Sequence, residues 1–286
     1  MNFTKLQAAG NDFVLIEAAG LEREWPQLTK AICQRHLGVG ADGLILMLPS
    51  EIADIGMRIF NTDGSEAEAC GNGLRCLVRY ALDKGYINHE AGEVNIETIA
   101  GLRKAKLFTG TGGEIKIQVN MGKPEFDAVK IPVAVEPGRG KLVDIILIAE
   151  YPVIIDNREL LLSFIAMGNP HAVYFQQQPV SEFPLSNIGP AVERHKLFPN
   201  RVNFEVARVI NCRLIEVRVW ERGVGETLAC GSGACAVAVA ARLLDYTYNP
   251  VSIKLPGGIL EVDWDRAGEV MLSGPAEIVF NGEWPD

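Results

Sequence analysis

The sequence predicts an α/β protein built from two pseudo-symmetric halves, each a strongly curved, mostly antiparallel sheet wrapped around a central helix. Three observations support this fold class. A cysteine-glycine motif occurs twice, its flanking segments repeat in the same order, and the helix predicted after the second copy is apolar almost all round. At 286 residues, the chain is long enough for two units of about 140 residues, each with its own core.

The repeat is gapless around the motif. Ala-Cys-Gly-Asn-Gly at 69–73 recurs as Ala-Cys-Gly-Ser-Gly at 229–233, and Arg58 and Glu66 recur as Arg218 and Glu226. Weaker matches follow in the same order, pairing 10–15 with 168–173, 96–102 with 253–259 and 119–124 with 270–275. Two long periods do not make a solenoid. We divide the chain into an N-terminal half, 1–126, to which the last strand (about 276–286) is assigned to return, and a C-terminal half, 127–275.

Apolar patterning predicts the elements of the first half in order. These are strands at 3–6 and 13–17, a helix at 27–33, strands at 43–47 and 56–61, a loop at 62–69, a helix from Cys70, and strands at 94–98, 104–108 and 114–119. In the helix from Cys70, one apolar stripe is formed by Leu74, Leu77, Val78, Ala81 and Leu82, and Gly85 is a typical helix stop. The corresponding helix of the second half, 234–244, is apolar on nearly every face, which predicts that other structure encloses it. The segment that joins the two halves is predicted to contain a loop at 136–140 and an extra strand over 143–148.

Charge and hydropathy exclude several classes of protein. The 36 acidic residues outnumber the 27 basic ones and give a net charge of −9, whereas nucleic acids and anionic membranes attract positive surfaces. No apolar run approaches the roughly 20 residues that span a bilayer, and the first residues lack the basic stretch of a signal peptide. We therefore expect a cytoplasmic protein that acts on a small molecule and binds neither nucleic acid nor membrane.

The six cysteines fall into two groups. Cys33, Cys76, Cys212 and Cys235 are interpreted as packing residues, since a buried cysteine behaves as a small hydrophobe. Cys70 and Cys230 occupy the same position of the repeated motif, where alanine or serine would pack equally well, so we assign them a chemical role. The spacing to the next cysteine and the absence of nearby histidine disfavour zinc.

A cysteine at the start of a helix has two uses. The first-turn N–H groups can bind a carboxylate, and the same field stabilises a thiolate, which lowers the thiol pKa. If the two halves bring Cys70 and Cys230 to opposite faces of one carbon, one thiolate can remove an α-proton while the other thiol returns one from behind. This pattern favours stereochemical inversion.

Residues 38–43 also fit the dinucleotide pattern Gly-x-Gly-x-x-Gly. That fingerprint requires a strand before the loop and a helix after it. Here a predicted helix precedes the segment and an apolar strand follows it, so nucleotide binding is rejected.

Several motifs together resemble the diaminopimelate epimerase family over nearly the whole chain. They are Gly-Asn-Asp-Phe at 10–13, Arg-His-x-Gly-x-Gly-x-Asp at 35–42, Asn-x-Asp-Gly-Ser at 61–65, the two cysteine motifs, Met-Gly-Asn-Pro-His at 167–171, Val-Asn at 202–203, and Glu-Arg-Gly-x-Gly-Glu-Thr at 221–227. The resemblance implies an isomerase that interconverts LL- and meso-diaminopimelate for lysine and peptidoglycan-precursor synthesis. It also implies a homodimer that needs no pyridoxal phosphate, metal or nucleotide, and it places Phe280 near the dimer contact.

The resemblance assigns roles position by position. It implies that Cys70 and Cys230 are the acid/base pair and that His171 and Glu221 tune their pKa values. It implies that the substrate is bound by Asn11, Asn61, Gly71, Asn72, Asn169, Asn203, Glu221, Arg222, Gly231 and Ser232. Gly43 stands where many family members have a glutamine that contacts substrate, so that contact is not carried over.

Three other functions fit part of the pattern. A related two-cysteine racemase, of the proline or hydroxyproline type, would keep the chemistry and change the substrate. A thiol redox protein would use Cys70 and Cys230 as a reversible disulfide, but it has no need of the surrounding asparagines and arginine. A binding protein without catalysis has no use for paired cysteines.

Overall fold

The computed structural model describes residues 1–67, 70–88, 92–109, 115–136, 138–143 and 147–285. The chain forms two compact units. Unit 1 comprises Met1–Asn120 and Ser273–Asp286, and unit 2 comprises Met121–Leu272.

In its described residues, unit 1 has a mixed sheet and two α-helices. Its strands are β1 (Asn2–Ala8), β2 (Asn11–Glu17), β3 (Gly43–Leu48), β4 (Ile55–Asn61), β5 (Glu66–Ala67), β6 (Glu93–Thr98), β7 (Gly101–Thr109), β8 (Ile115–Asn120) and, from the C-terminus, β19 (Glu277–Glu283). The sheet runs β19-β1-β2-β3-β4-β6-β7-β8, with β5 also bonded to β4. The pairs β2–β3 and β4–β6 are parallel, and the others in this series are antiparallel.

The helices of unit 1 are α1 (Trp25–Ile32) and α2 (Gly71–Asp83). Strands at both ends of the sheet, β1 and β19 on one side and β7 and β8 on the other, contact α2. The predicted start at Cys70 is confirmed, and Gly85 ends the helix with a φ of +76°. The predicted single stripe is too narrow, because Arg75 is also fully buried.

Unit 2 repeats the same connections. Its strands are β9 (Lys141–Val143), β10 (Leu147–Ile155), β11 (Arg158–Ala166), β12 (Pro170–Phe175), β13 (Asn203–Asn211), β14 (Leu214–Glu221), β15 (Gly225–Thr227), β16 (Val251–Leu255) and β17 (Gly258–Asp263); β18 (Met271–Gly274) lies at the boundary of the units. The pair β12–β13 is parallel, β13–β14 antiparallel and β14–β16 parallel, as in β2, β3, β4 and β6. The predicted internal repeat is thus confirmed in the strand pairing.

The helices of unit 2 are α3 (Leu185–Glu193) and α4 (Gly231–Leu243), and a 3₁₀ turn spans Val180–Glu182. Strands β10, β11, β12, β13, β16 and β17 all contact α4. Eleven of its residues are buried, which confirms the prediction of an enclosed apolar helix.

Some predicted bounds are wrong for local reasons. The helix predicted at 27–33 begins at Trp25, because Pro26 suits the first turn of a helix. The loop predicted at 62–69 contains the short strand β5, and its last two residues lie outside the described part. The extra strand predicted over 143–148 is instead the end of β9 and the start of β10, with 144–146 outside the described residues. Two other predicted residues, Ala69 of the motif and Glu114 of a strand, are likewise not described.

Candidate functional site

In each unit, the predicted site residues lie at one edge of the sheet. The parallel strands β2 and β3 begin at this edge and the antiparallel β4 ends there, which places Asn11 next to the register pair Gly43–Asn61. In unit 2, β12 and β13 begin and β14 ends at the equivalent edge. The strand pattern that the sequence repeats therefore assembles one half-site in each unit.

In unit 1, Cys70 is the N-cap of α2. Its backbone is extended, with φ −143° and ψ 119°, and Gly71 and Asn72 follow as the first helical residues. The Cys70 side chain is half-buried. A half-buried thiol at a helix start combines access for a ligand with the positive end of the helix dipole.

A chain of hydrogen bonds holds the asparagines of unit 1. The fully buried Arg75 donates from its guanidinium to Oδ1 of Asn72 at 2.8 Å. Asn72 in turn donates from Nδ2 to Oδ1 of Asn11 at 3.1 Å, and Asn11 donates from Nδ2 to Asp42 at 2.9 Å. Both predicted substrate-binding side chains are thus fixed in orientation by a charged group at each end of the chain.

The Asp42 end of this chain is a cluster of charges. Arg35 donates to Asp42 at 2.6 Å and to Asp12 at 2.8 Å, and the buried Lys5 lies 2.5 Å from Asp12. Arg35 and Asp42 belong to the motif at 35–42, so that motif acts here by holding Asn11. The segment follows helix α1 and precedes strand β3. This is the predicted order of helix and strand that does not fit a dinucleotide-binding loop.

Asn61 and Gly43 complete the unit 1 edge. Asn61 is exposed at the end of β4, and its Nδ2 donates to Oγ of Ser65 at 3.0 Å. A Cβ atom on Gly43 would lie 2.7 Å from the carbonyl oxygen of Phe60 and 3.3 Å from the ring of Phe13. The backbone of β4 therefore leaves no room for a side chain at position 43.

In unit 2, Cys230 is the N-cap of α4 and is 6% exposed. Its Sγ accepts a hydrogen bond from the backbone N–H of Gly233 at 3.4 Å and lies 3.4 Å from Oγ of Ser232. The charge of Glu221 also acts on this thiol. Cys230 is thus influenced by groups on its own helix and on β14.

Burial raises the pKa of Cys230 well above its usual 9.0, and the nearby carboxylates of Glu221 and Glu205 raise it further, against the hydrogen bonds from Ser232 and Gly233. The sequence led us to expect a lowered pKa from the helix start alone. That expectation is wrong for Cys230, because burial and two acidic neighbours outweigh the field of the helix. Cys230 is a protonated thiol at neutral pH.

Glu221 is a half-buried carboxyl group at the end of β14. Its Oε1 accepts a hydrogen bond from Oγ1 of Thr227 at 2.5 Å. Burial raises the pKa of Glu221, although the hydrogen bond from Thr227 and the charge of His171 act in the opposite direction. A carboxyl group with a raised pKa next to a thiol can hold a proton or accept one.

His171 lies in the core of unit 2, with no exposed surface. Its Nδ1 is 2.7 Å from Oε1 of Glu205, and its Nε2 is 2.8 Å from Oδ1 of Asn169. Burial raises the pKa of Glu205, and the neighbouring His171 opposes this rise. The imidazole is therefore held at both nitrogens, and it orients the side chain of Asn169.

Asn203 connects the start of β13 to the turn after β14. Its Nδ2 donates to the carbonyl of Pro170 at 2.9 Å, and its Oδ1 accepts from the backbone N–H of Arg222 at 2.9 Å. The guanidinium of Arg222 donates to the carbonyl of Asn200 at 3.1 Å, and the side chain is exposed. Unit 2 thus brings together Asn169, His171, Asn203, Glu221, Arg222, Cys230, Gly231 and Ser232.

The remaining cysteines include one exception to the packing interpretation. Cys33, Cys76 and Cys235 are buried, and burial raises the pKa of Cys33 to about 12 and that of Cys76 further. The packing prediction is wrong for Cys212, which is exposed in the turn between β13 and β14. A hairpin turn has no second layer to cover it.

Two residues of the site were missed from the sequence. Arg75 fits a solvent-facing position of an amphipathic helix, and only the enclosure of α2 shows that it is buried. Glu205 could have been found from the sequence, because it is a charged residue between the apolar Phe204 and Val206 of β13. The same position of the first repeat is Ile45.

Known proteins share sequence with this chain over its whole length. The sequence profile of the family described as diaminopimelate epimerase matches residues 3–126 and 163–279. The chain belongs to the diaminopimelate epimerase family. It is 41% identical over 288 residues to a diaminopimelate epimerase of Pelotomaculum thermopropionicum, covering 100% of this chain and 99% of the relative. It is 43% identical to the diaminopimelate epimerase of Caldanaerobacter subterraneus subsp. tengcongensis, covering 99% of both chains. The family resemblance seen in the motifs is confirmed.

Solved structures show the same fold at low sequence identity. A phenazine biosynthesis protein of the PhzF family from Bacillus anthracis has a TM-score of 0.69 at 17% identity, covering 100% of this chain and 99% of its own. A probable proline racemase from Agrobacterium radiobacter K84 has a TM-score of 0.70 at 13% identity, covering 99% and 92%. The predicted diaminopimelate epimerase-like fold is therefore confirmed. Strands β9 and β10 lie between the two ranges that the family profile matches.

Within the described part of the chain, no helix combines the length and the apolar character needed for a membrane span.

Proposed function

We propose that this protein is a diaminopimelate epimerase that interconverts LL-2,6-diaminopimelate and meso-diaminopimelate by proton transfer at the α-carbon. The observation that carries the proposal is the cysteine N-cap repeated at the start of both central helices, in a chain 41% identical over its length to a diaminopimelate epimerase. The proposed activity belongs to lysine and peptidoglycan-precursor synthesis.

Cys70 and Cys230 are the proposed acid/base pair. In one direction, the thiolate of one cysteine takes the α-proton, the electron pair passes to the α-carbon, and the thiol of the other cysteine gives that carbon a proton from the opposite face. The number of protons on the pair is unchanged, although the two cysteines exchange roles with each turnover. The raised pKa of Cys230 supports its role as proton donor in the empty enzyme.

The reacting α-carboxylate is assigned to the starts of the two helices. Gly71 and Asn72 begin α2, and Gly231 and Ser232 begin α4. First-turn N–H groups have no carbonyl of their own helix to bond, so they are available to a carboxylate. Their hydrogen bonds strengthen as the carbanion transfers charge to the carboxylate, which stabilises the transition state.

His171 and Glu221 are proposed to tune the unit 2 thiol. The charge of Glu221 acts on Cys230, and its carboxyl group, whose pKa is raised, offers a place for a proton. His171 lies fixed between Glu205 and Asn169, and its charge acts on Glu221. Tuning of this kind places the proton affinities of donor and acceptor close together, which general acid/base catalysis requires.

The rest of the zwitterionic substrate is assigned to polar side chains at the two sheet edges. A carboxamide both donates and accepts hydrogen bonds, and it can therefore bind an ammonium and a carboxylate group. The guanidinium of Arg222 is exposed and can bind a carboxylate with two parallel hydrogen bonds. The asparagines proposed for this role are Asn11, Asn61, Asn169 and Asn203.

We also propose that the reaction needs no cofactor or metal and that the enzyme is a cytoplasmic homodimer. The two thiols supply both proton-transfer groups, which is why no pyridoxal phosphate is invoked. Strand β19 presents Val279 and Phe280 with 55% and 46% of their surfaces exposed, which suits a contact with a second copy. Light scattering of the wild type and of Phe280→Asp tests this, and a monomeric wild type would contradict it.

The function is tested by proton NMR of LL-diaminopimelate in heavy water, with reduced enzyme, a chelator and no added cofactor. We expect the α-proton to exchange for deuterium while the meso isomer forms. Cys70→Ala and Cys230→Ala should each lower the rate at least 10³-fold at unchanged thermal stability, since each removes one proton-transfer group. The matched control is Cys212→Ala, which removes an exposed thiol in the turn between β13 and β14, at the opposite end of these strands from the site, and should leave the rate unchanged.

L-Proline and 4-hydroxyproline are assayed in parallel. Exchange with these amino acids and none with diaminopimelate would move the assignment to a sister racemase. If no amino acid exchanges, the thiol redox alternative is tested by peroxide turnover. A wild-type rate in either alanine variant would contradict the two-base mechanism.

A further inference from the structure

At one pair of buried positions, the two repeats have side chains of opposite character. In unit 1, the parallel ladder pairs Phe13 with Gly43, and Ile45 lies two residues further along β3. In unit 2, the equivalent ladder pairs His171 with Asn203, and Glu205 lies two residues further along β13. One unit therefore has a phenylalanine and an isoleucine where the other has a histidine and a glutamate.

All four of these side chains are buried. Phe13 is 3% exposed, and Ile45, His171 and Glu205 are 0% exposed. The fold thus needs only apolar side chains at these positions. Burying an ionisable pair is costly, and hydrophobic residues of similar volume often replace such a pair without loss of stability. A purely structural role does not explain why unit 2 keeps the histidine and the glutamate.

The contacts of Glu205 connect two parts of the unit 2 half-site. Its Oε1 is 2.7 Å from Nδ1 of His171, whose Nε2 is 2.8 Å from Oδ1 of Asn169. The same Oε1 also lies close to the backbone of Gly233. A Cβ atom added to that glycine would be only 2.8 Å from it. The carboxyl group therefore packs against the first turn of α4, three residues from Cys230.

We propose that Glu205 is a positioning residue for the unit 2 half-site: it anchors His171 through Nδ1, orients Asn169 through that ring, and packs against the helix start that carries Cys230. This inference rests on the proposed epimerase activity for its kinetic consequence, while its structural consequence can be measured independently. Glu205 acts through His171 and α4 and needs no contact with substrate.

The physical effect of such an anchor is to hold a hydrogen on Nδ1 and to fix the plane of the ring. A carboxylate next to Nδ1 holds the proton there, so the other nitrogen keeps a fixed orientation toward Asn169. Glu205 also contributes negative charge near Cys230, together with Glu221 on β14. The groups that face this thiol or its neighbours are thus Glu205 from β13, Glu221 from β14, Ser232 from α4 and His171 from β12.

The first test is Glu205→Gln, which keeps the shape of the side chain and removes its charge. Nitrogen-15 spectra of histidine-labelled protein report the tautomer of each ring, and the His171→Gln variant assigns the signals of His171. In the wild type, we expect a hydrogen on Nδ1 of His171 shifted strongly downfield by its short hydrogen bond. In Glu205→Gln, that signal should move or disappear. This readout requires no turnover.

The second test is kinetic. In Glu205→Gln, kcat for α-proton exchange should fall about 10- to 100-fold, a typical loss when a residue that orients a functional group is removed. Because the charge of Glu205 raises the pKa of Cys230, the alkaline limb of the pH profile should move to lower pH in the variant. The matched control, Glu216→Gln on β14, loses a pair with Lys254 and should keep the wild-type rate and pH profile.

A double variant separates positioning from stability. His171→Phe with Glu205→Ile places the unit 1 pair in unit 2, and it should melt at or above the wild-type temperature while losing activity. A Glu205→Gln protein with wild-type kcat and pH profile, or with an unchanged His171 signal, would overturn the proposal. So would a loss of activity that is matched by unfolding in both Glu205→Gln and the double variant. If the wild type shows no exchange, the proposed function fails, and the nitrogen-15 result still decides whether Glu205 anchors His171.

Discussion

Cys230 should react slowly with alkylating reagents at neutral pH, despite its position at a helix start. The thiolate is the nucleophile of a cysteine, so the rate follows the fraction of thiolate and the access of the reagent. The structure limits both quantities. Cys230 is 6% exposed, and burial together with Glu221 and Glu205 raises its pKa well above 9.0.

The expected rate follows from these values. A thiol with a pKa of 9.0 is about 1% thiolate at pH 7, and each further unit lowers this fraction about tenfold. We therefore expect iodoacetamide to modify Cys230 at least tenfold more slowly than the exposed Cys212 of the same chain. The rate should rise steeply between pH 8 and pH 10, in the presence of a reductant that is not a thiol.

Peptide mass spectrometry after timed alkylation gives both rates from one sample, so Cys212 is an internal control. The Glu221→Gln variant removes one of the charges that raise the pKa of Cys230, so it should speed the modification of that thiol. Modification of Cys230 at pH 7 as fast as Cys212, or no response to Glu221→Gln, would refute the reasoning about burial and neighbouring charge.

Three further predictions concern stability and its pH dependence. Gly43→Ala should lower the free energy of unfolding by about 1–3 kcal/mol in urea denaturation, because the new Cβ meets the carbonyl oxygen of Phe60 at 2.7 Å. Arg75→Met should lower it by about 2–4 kcal/mol, since Asn72 loses a charged hydrogen-bond donor in the core. The folded-state pKa of Glu221 is raised above its usual 4.5, so its contribution to stability is complete below pH 4.5 and is lost as the pH rises through the folded-state value. Glu221→Gln should therefore gain melting temperature relative to the wild type as the pH increases from 4.5 to 8.

Each of these has a contradicting outcome. A Gly43→Ala protein as stable as the wild type would mean that β4 moves without cost. If Arg75→Met loses nothing, the polar chain from Arg75 through Asn72 makes no net contribution to stability. Parallel melting curves for wild type and Glu221→Gln over the whole pH range would contradict the raised pKa.

The internal repeat carried most of what could be predicted about the fold. Identical spacing around Cys70 and Cys230 predicted two equivalent helices, and both cysteines are N-caps in the structure. The prediction succeeded because a motif and its flanking strands form one local unit whose connections are short. It failed over 143–148, where the apolar pattern does not show where one strand ends and the next begins.

The sequence by itself determined the residue types available at each half-site and their order along the chain. Cysteine, glycine and asparagine at fixed spacings restrict the chemistry to thiols next to backbone donors. These properties are local, because helix starts, turns and strand ends depend on neighbouring residues. They were sufficient to identify the family and the candidate residues.

Only the tertiary structure decided the protonation state of those residues and the groups that hold them in place. The high pKa of Cys230 depends on Glu205 and Glu221, which come from two other strands, and on burial that no local pattern specifies. The burial of Arg75 likewise follows from the sheet that surrounds α2. Electrostatic free energies depend on distance and on exclusion of water, and both are set by residues far apart in the chain.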